Sequence, residues 1–270
     1  MTTATAASRG ARPSRPSRSI TGPVAFLVFM AITWWAASEE FGIDFDVVRL
    51  LTNLTRGAGI LAEFWPPALD FVPRTIGPMI ETIQMAIIAA VIGCATALPV
   101  AFLASRVSTP NRFVFVLDRS VLSVVRALPD ILYAIVFVAA LGVGPLPGIL
   151  ALILFNIAVV AKLLSETVDG VDPGPIEAAR AAGGGKAQTV RWAIFPQVLP
   201  NYVAYSLYAF ELNIRASAVI GIVGAGGIGN LINTERRFFR YDNLTVILIE
   251  IFLLVFVVEL ISIFLRRRLV

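Results

Sequence analysis

Histidine is absent from all 270 residues, and cysteine occurs once, as Cys94 in the middle of an apolar run. Those two scarcities exclude several chemistries from this chain. Haem ligation by histidine, the common zinc sites, disulfides and Ser-His or Cys-His nucleophilic pairs all need residues that are missing. Cys94 reads as a small buried hydrophobe. Charge is scarce as well: 15% of residues are Asp, Glu, Lys or Arg, against roughly 25% in a typical soluble domain. No GxxxxGK[ST] phosphate loop is present, because Gly185-Lys186 is followed by Ala187, so this chain has no such loop of its own for ATP. Paired catalytic carboxylates are also lacking. Asp118, Asp130, Glu211, Glu250 and Glu259 are scattered singly through apolar sequence, which argues against an intramembrane enzyme.

What fills the chain instead is hydrocarbon, with 57% hydrophobic residues. Apolar runs near the ~20 residues needed to cross a bilayer fall at 20–37, 79–104, 121–141, 149–164, 198–223 and 245–265. The fold class expected is an all-α integral membrane protein with about six transmembrane helices, since barrel strands would alternate with period two. The fourth run is short by strict count.

Basic residues set an orientation by the positive-inside rule. With the N-terminus in the cytoplasm, 15 of the 22 Lys and Arg residues lie inside. Arg236, Arg237 and Arg240 run against that bias in the last outer loop. Both termini are therefore expected to be cytoplasmic in a multi-pass protein of the plasma membrane. Residues 1–19, rich in Ala, Ser, Arg and Pro, read as a disordered tail. A cleaved signal peptide is the rival for this region, but Trp34 and Trp35 at the end of 20–37 resemble an interfacial anchor more than a cleavage site. Residues 38–75 form an outer segment, with a surface helix expected over 46–56 and a turn at Trp65-Pro66-Pro67. The core is expected over 76–265, followed by a basic C-terminus at 266–270.

One polar island interrupts the apolar runs: residues 177–200, EAARAAGGGKAQTVRWAIFPQVLP. Asp172 or Gly174 can cap a helix, Pro175 suits a first turn, and Glu177 meets the positive end of the helix dipole. Gly183-Gly184-Gly185 breaks that helix. A second short helix is expected from Lys186 to Ala193, ending before Pro196 because the residue preceding proline disfavours the α region. An ordinary polar loop between two membrane helices is the plainer alternative.

Glu177-Ala178-Ala179, Gly183 four residues on, and Pro196 with Pro200 resemble the cytoplasmic "EAA" loop of membrane subunits of ATP-binding-cassette (ABC) importers. Ala193 and Phe195 depart from the family pattern, which has a branched aliphatic and a leucine there. The resemblance sharpens with Asp172-Pro173-Gly174-Pro175, with Ala127-Leu128-Pro129-Asp130, and with the run from Glu211 through Asn213, Arg215, Ser217, Gly221, Gly224, Gly226 and Gly227 to Gly229. These are similar to phosphonate-importer permeases and cover most of residues 76–229.

The resemblance implies a type I importer fold and a segment 172–196 that docks on a separate ATPase, with Glu177, Ala178, Ala179, Gly183, Lys186 and Pro196 as coupling residues. It also implies a homodimer of this chain, two ATPase subunits holding ATP and Mg, an extracytoplasmic substrate-binding protein, no cofactor on this chain and no nucleic acid. The cargo implied is a phosphonate, phosphate or phosphite moved by alternating access. A self-sufficient secondary transporter or channel for a small anion remains the alternative.

Gly224 to Gly229 also fits GxGxxG, yet that pattern binds dinucleotides only between a strand and a helix. Here it ends a membrane helix, either as a permissive helix terminus or as an outer gate with closely packed backbone. Glu211 and Arg215, spaced by four, are expected to form an intrahelical ion pair or to place Arg215 on the central path. Asn213 and Ser217 lie on a different face and are expected to bond to neighbouring helices, and Glu211, Asn213, Arg215, Ser217, Gly224, Gly226 and Gly227 together are the expected translocation path or gate. Pro99 and Pro129 are the expected helix bends, and Ala89, Ala90, Gly93 and Ala97 permit close packing.

Overall fold

The computed structural model describes residues 20–38, 47–109 and 111–269. The tail expected over 1–19, and the start of the expected surface helix at residue 46, lie outside the described residues. Among the described residues the regular structure is all helical. In chain order the helices are α1 (Thr21–Ala37), α2 (Val47–Thr52), α3 (Leu54–Ala62), α4 (Val72–Leu103, after a 3-10 turn at Leu69–Phe71), α5 (Arg112–Ala127) and α6 (Asp130–Leu141). They continue with α7 (Pro145–Asp169), α8 (Pro173–Ala181), α9 (Lys186–Thr189, leading into a π turn at Val190–Ile194), α10 (Phe195–Gly221), α11 (Gly227–Arg237) and α12 (Tyr241–Leu269).

The chain divides into two compact units, Met1–Gly59 and Ile60–Val270. In the first, α1 is apolar on every side and none of its residues is buried, as in a helix bathed in lipid. The second unit is a bundle whose centre is α4, α7 and α10. Ala89, Ala97, Ala151, Ala161 and Ala209 are all at most 1% exposed there, and small side chains at these crossings let helix backbones approach closely. At Gly93 the fit is close, because a Cβ there would stand 2.6 Å from Asn156 Cβ on α7.

Two buried amides lock the same three helices. Asn156 Nδ2 donates to the Ala89 carbonyl at 3.0 Å, and Asn213 Nδ2 donates to the Ala86 carbonyl at 3.2 Å. Asn213 thus reaches a neighbouring helix as expected. Ser217 does not: its hydroxyl bonds back to the Ile214 carbonyl of its own helix at 2.8 Å.

Three described helices are long and apolar enough to cross a membrane: residues 69–103, α7 and α12. At ~1.5 Å per residue, α10 with its 27 residues is long enough too, but Asn201, Glu211, Asn213 and Arg215 make it more polar than those three. The run expected as one continuous helix over 121–141 is instead two helices, α5 and α6, bent by 87°. Leu128, before Pro129, is extended with φ −98° and ψ 135°, the conformation a following proline enforces. The Tyr133 hydroxyl then closes the corner on the Val125 carbonyl at 2.7 Å. Pro129 therefore sits at a break. By contrast α4 runs unbroken through Pro99, and α12 runs on through Arg266, Arg267 and Arg268 to Leu269.

Candidate functional site

The polar island folds as a compact module between α7 and α10. Asp172 is the N-cap of α8, its carboxylate accepting from the Gly174 amide at 2.9 Å, and two prolines occupy the first turn. Glu177 and Ala178 are exposed and Ala179 is half-buried, while Ile176 turns inward with 6% of its surface exposed. Gly183 takes φ +81° with open space around it, a conformation that favours glycine over any residue with a Cβ. Its neighbour Gly184 donates to the Ala179 carbonyl at 2.9 Å, completing the turn.

The second helix departs from expectation. After Lys186–Thr189 the chain widens into a π turn, and it does not stop before Pro196: Phe195 is helical, with φ −54° and ψ −44°, and α10 begins there. Pro196 has no N–H to give to the turn before it, and the Gln197 side chain donates to the Ala193 carbonyl at 2.6 Å, which keeps that acceptor satisfied. The module is thus rigidly continuous with α10, and Lys186, Trp192 and Pro196 are exposed along it.

A hub that the sequence did not disclose sits just before the module. Asp169, at the end of α7, accepts from the Ser105 hydroxyl, the Arg106 amide and Arg119 Nη2, each at 2.7 Å. Arg119 Nε also donates to the Ala104 carbonyl at 2.9 Å. One carboxylate therefore ties the α4–α5 connection and α5 to a point three residues from the α8 cap.

Deeper along α10, Glu211 is buried and pairs with Arg215 four residues on. Its second oxygen faces Arg266 Nη2 of α12 at 3.4 Å. The expected intrahelical pair is therefore present within a triad of two guanidinium groups around one carboxylate. Arg215 keeps 47% of its side chain exposed.

At the far end, α10 and α11 meet in a tight turn. Gly224, Gly226 and Gly227 have φ +93°, +84° and +66°. A Cβ at Gly226 would lie 2.8 Å from Glu81 and from Pro145. The first amides of α11 are capped from α4: Gly227 N donates to Glu81 Oε1 at 3.2 Å and Ile228 N to Thr82 Oγ1 at 2.8 Å. The turn also accepts from Gly144 at the Gly224 carbonyl, 2.9 Å. This is closely packed backbone beginning a helix, so the glycines lie between two helices and not merely at the end of one.

Comparison with known proteins agrees with this architecture. Residues 91–270 match the family model "Binding-protein-dependent transport system inner membrane component". A phosphate-import permease protein of Mycolicibacterium smegmatis is 39% identical over 229 residues, covering 84% of this chain and 43% of the relative. This chain therefore spans less than half of that protein. A phosphite transport system permease protein of Stutzerimonas stutzeri is 37% identical over 248 residues, covering 87% of this chain and 90% of its own length. An inward-facing methionine ABC transporter superposes with a TM-score of 0.68 over 75% of this chain and 99% of that one, at 21% identity, and so supports the fold. The chain belongs to the inner membrane component family of binding-protein-dependent transport systems, with the fold of a type I ABC importer permease.

Proposed function

We propose that the chain is the membrane permease of an ATP-driven importer for a small phosphorus oxyanion: phosphonate, phosphite or phosphate. The observation that carries the coupling half of this reading is the exposed 172–196 module, which is fused without a break to α10. A push on Glu177 or Lys186 from a docked ATPase is thereby delivered to the helix that holds Glu211, Asn213 and Arg215. The cargo half is supported by relatives named for phosphate and phosphite transport.

In this reading two copies of the chain face each other, two ATPase subunits that bind ATP and Mg dock on the modules, and an extracytoplasmic binding protein delivers the anion. Both termini and the module lie in the cytoplasm, as the basic residues favour. Nucleotide-driven closure swings the modules together and alternates access along α4, α7 and α10. Asp169 keeps the α4–α5 connection moving with α7 during that swing. The glycine turn serves as the outer gate and Arg215 lines the path.

The docking step is tested by cysteine cross-linking. Ala178→Cys should cross-link to the co-expressed ATPase, and Asn233→Cys at the other end should not. Equal cross-linking at both positions, or none at Ala178→Cys while the ATPase co-purifies, would overturn the assignment.

A further inference from the structure

A cavity of about 550 Å³ opens on the module side of the bundle and is lined by Arg126, Lys162, Arg266, Glu166, Tyr205 and Tyr208. At about 30 Å³ of liquid per water, it has room for a small oxyanion and its hydration shell. Its cations come from three different helices: Arg126 from the end of α5, Lys162 from α7 and Arg266 from α12. Glu166 is the sole carboxylate among those six side chains. It is 56% exposed and satisfies Lys162 at 2.9 Å, leaving two guanidinium groups facing the same space. Arg266 is anchored from behind, Nε to the Ser262 carbonyl at 3.2 Å and Nη2 to Glu211 at 3.4 Å. The Tyr205 hydroxyl is fixed by Thr167 at 2.9 Å.

The cations stand at the mouth of the bundle among the apolar side chains of Val159, Leu163 and Ala204, which complete the lining, and ionisable groups set against apolar surface mark ion pathways. Guanidinium groups converging with a lysine and the Tyr208 phenol make a donor set suited to tetrahedral oxyanions, while the Tyr205 proton is held by Thr167, whose own proton goes to the Leu163 carbonyl. Position adds to the argument. Lys162 is seven residues before Asp169 on α7, about 10 Å along the axis, and Tyr208 is three residues from Glu211 on α10. The cavity therefore lies between the module and the Glu211 triad, and Arg266 belongs to both.

We propose that this cavity is a binding site for a phosphoryl or phosphonyl dianion, held by Arg126, Lys162 and Arg266. Its choice of anion rests on the importer reading above. Within that reading the site is where cargo that has passed the Glu211 triad rests before release. The phosphodiester headgroup of an anionic phospholipid offers the same tetrahedral phosphoryl oxygens with one charge instead of two, and the two arms of the test separate these sources.

The full chain in phosphatidylcholine nanodiscs, without nucleotide or binding protein, is titrated with methylphosphonate. Binding is followed by saturation transfer at the methylphosphonate phosphorus resonance, which is distinct from that of lipid phosphodiesters. Saturable binding is expected, displaced by inorganic phosphate but not by nitrate. It should weaken about tenfold or more in Arg126→Gln and in Lys162→Gln, weaken less in Arg126→Lys, and stay unchanged in Arg74→Gln at the other end of α4. Arg126 is exposed and Lys162 partly so, which keeps folding intact in these variants.

In a second arm, phosphatidylglycerol is mixed into the discs. Retention of that lipid by the wild type and its loss in both glutamine variants, with no methylphosphonate binding, would assign the site to a headgroup. Binding that ignores Arg126 and Lys162, or none of either ligand, overturns the proposal. The importer reading fails separately, if ATP-driven oxyanion uptake is absent while this binding persists.

Discussion

Asp169→Ala gives the sharpest test of how motion leaves the 172–196 module. The carboxylate accepts three hydrogen bonds of 2.7 Å, from Ser105, Arg106 and Arg119. Bonds to a charged group contribute ~1.5–3 kcal/mol each when well shielded. The Arg119–Asp169 pair is about a quarter exposed on both sides, so its part falls toward ~1 kcal/mol. Ser105 is fully buried and its hydroxyl proton loses its acceptor, at ~1–3 kcal/mol, although its oxygen still accepts from the Val107 amide. Allowing for solvent reaching the freed Arg106 amide, a total near ~3 kcal/mol follows, or about two powers of ten in the population of the docked α4–α5 connection. Asp169→Asn keeps an acceptor oxygen and should lose only ~1 kcal/mol.

The assay is the ratio of anion transported to ATP hydrolysed in proteoliposomes. Asp169→Ala should hydrolyse ATP with little transport, and Asp169→Asn should fall between it and the wild type. An unchanged ratio in Asp169→Ala, with normal membrane insertion, would refute the reasoning.

Four further outcomes follow from the same geometry. Glu177→Lys and Gly183→Asp should each abolish ATP-dependent uptake without preventing insertion, the first by charge reversal on α8 and the second by forcing a side chain into φ +81°; wild-type uptake in both would remove the coupling role. Gly93→Ala should destabilise by ~1–3 kcal/mol through overpacking, and adding Asn156→Gly should recover part of the loss in thermal unfolding in detergent; strictly additive effects would deny the contact. Replacing both Arg215 and Arg266 with Gln leaves Glu211 buried and unpaired, which should cost ~3–5 kcal/mol, and adding Glu211→Gln should restore most of the stability; a triple variant no more stable than the double would contradict the triad. A cysteine at Lys186 should label from the cytoplasm and one at Asn233 from outside; the reverse pattern would invert the topology.

Local features were the legible ones. The Asp172 cap, the first-turn prolines and the glycine break at 183–185 follow from short-range rules about dipoles and φ values, and all three are present. The pairing of Glu211 with Arg215 needed only the 3.6-residue period. The break between α5 and α6 was hidden because hydropathy over 121–141 averages across the Leu128-Pro129 corner, although the proline itself was in view. Arg266 shows only its charge sign in the sequence, because its partner Glu211 lies 55 positions away. Glu81 and Thr82 cap α11 from 146 positions away, and Asp169 gathers partners 50 to 64 positions away. Such contacts depend on which helices pack together, which no short-range pattern encodes. The π turn at 190–194 escapes the rule about residues preceding proline, which assumes an ordinary α turn.

The most direct test of the central claim is transport by purified components. Proteoliposomes containing this chain and its co-purified ATPase, with ATP inside and the oxyanion-binding protein outside, are supplied with radiolabelled phosphate, phosphite or methylphosphonate. The account predicts accumulation of at least one of these anions against its gradient, dependent on internal ATP and on the binding protein, and lost in Glu177→Lys. Uptake by the chain alone, driven by an ion gradient and indifferent to ATP, would contradict it.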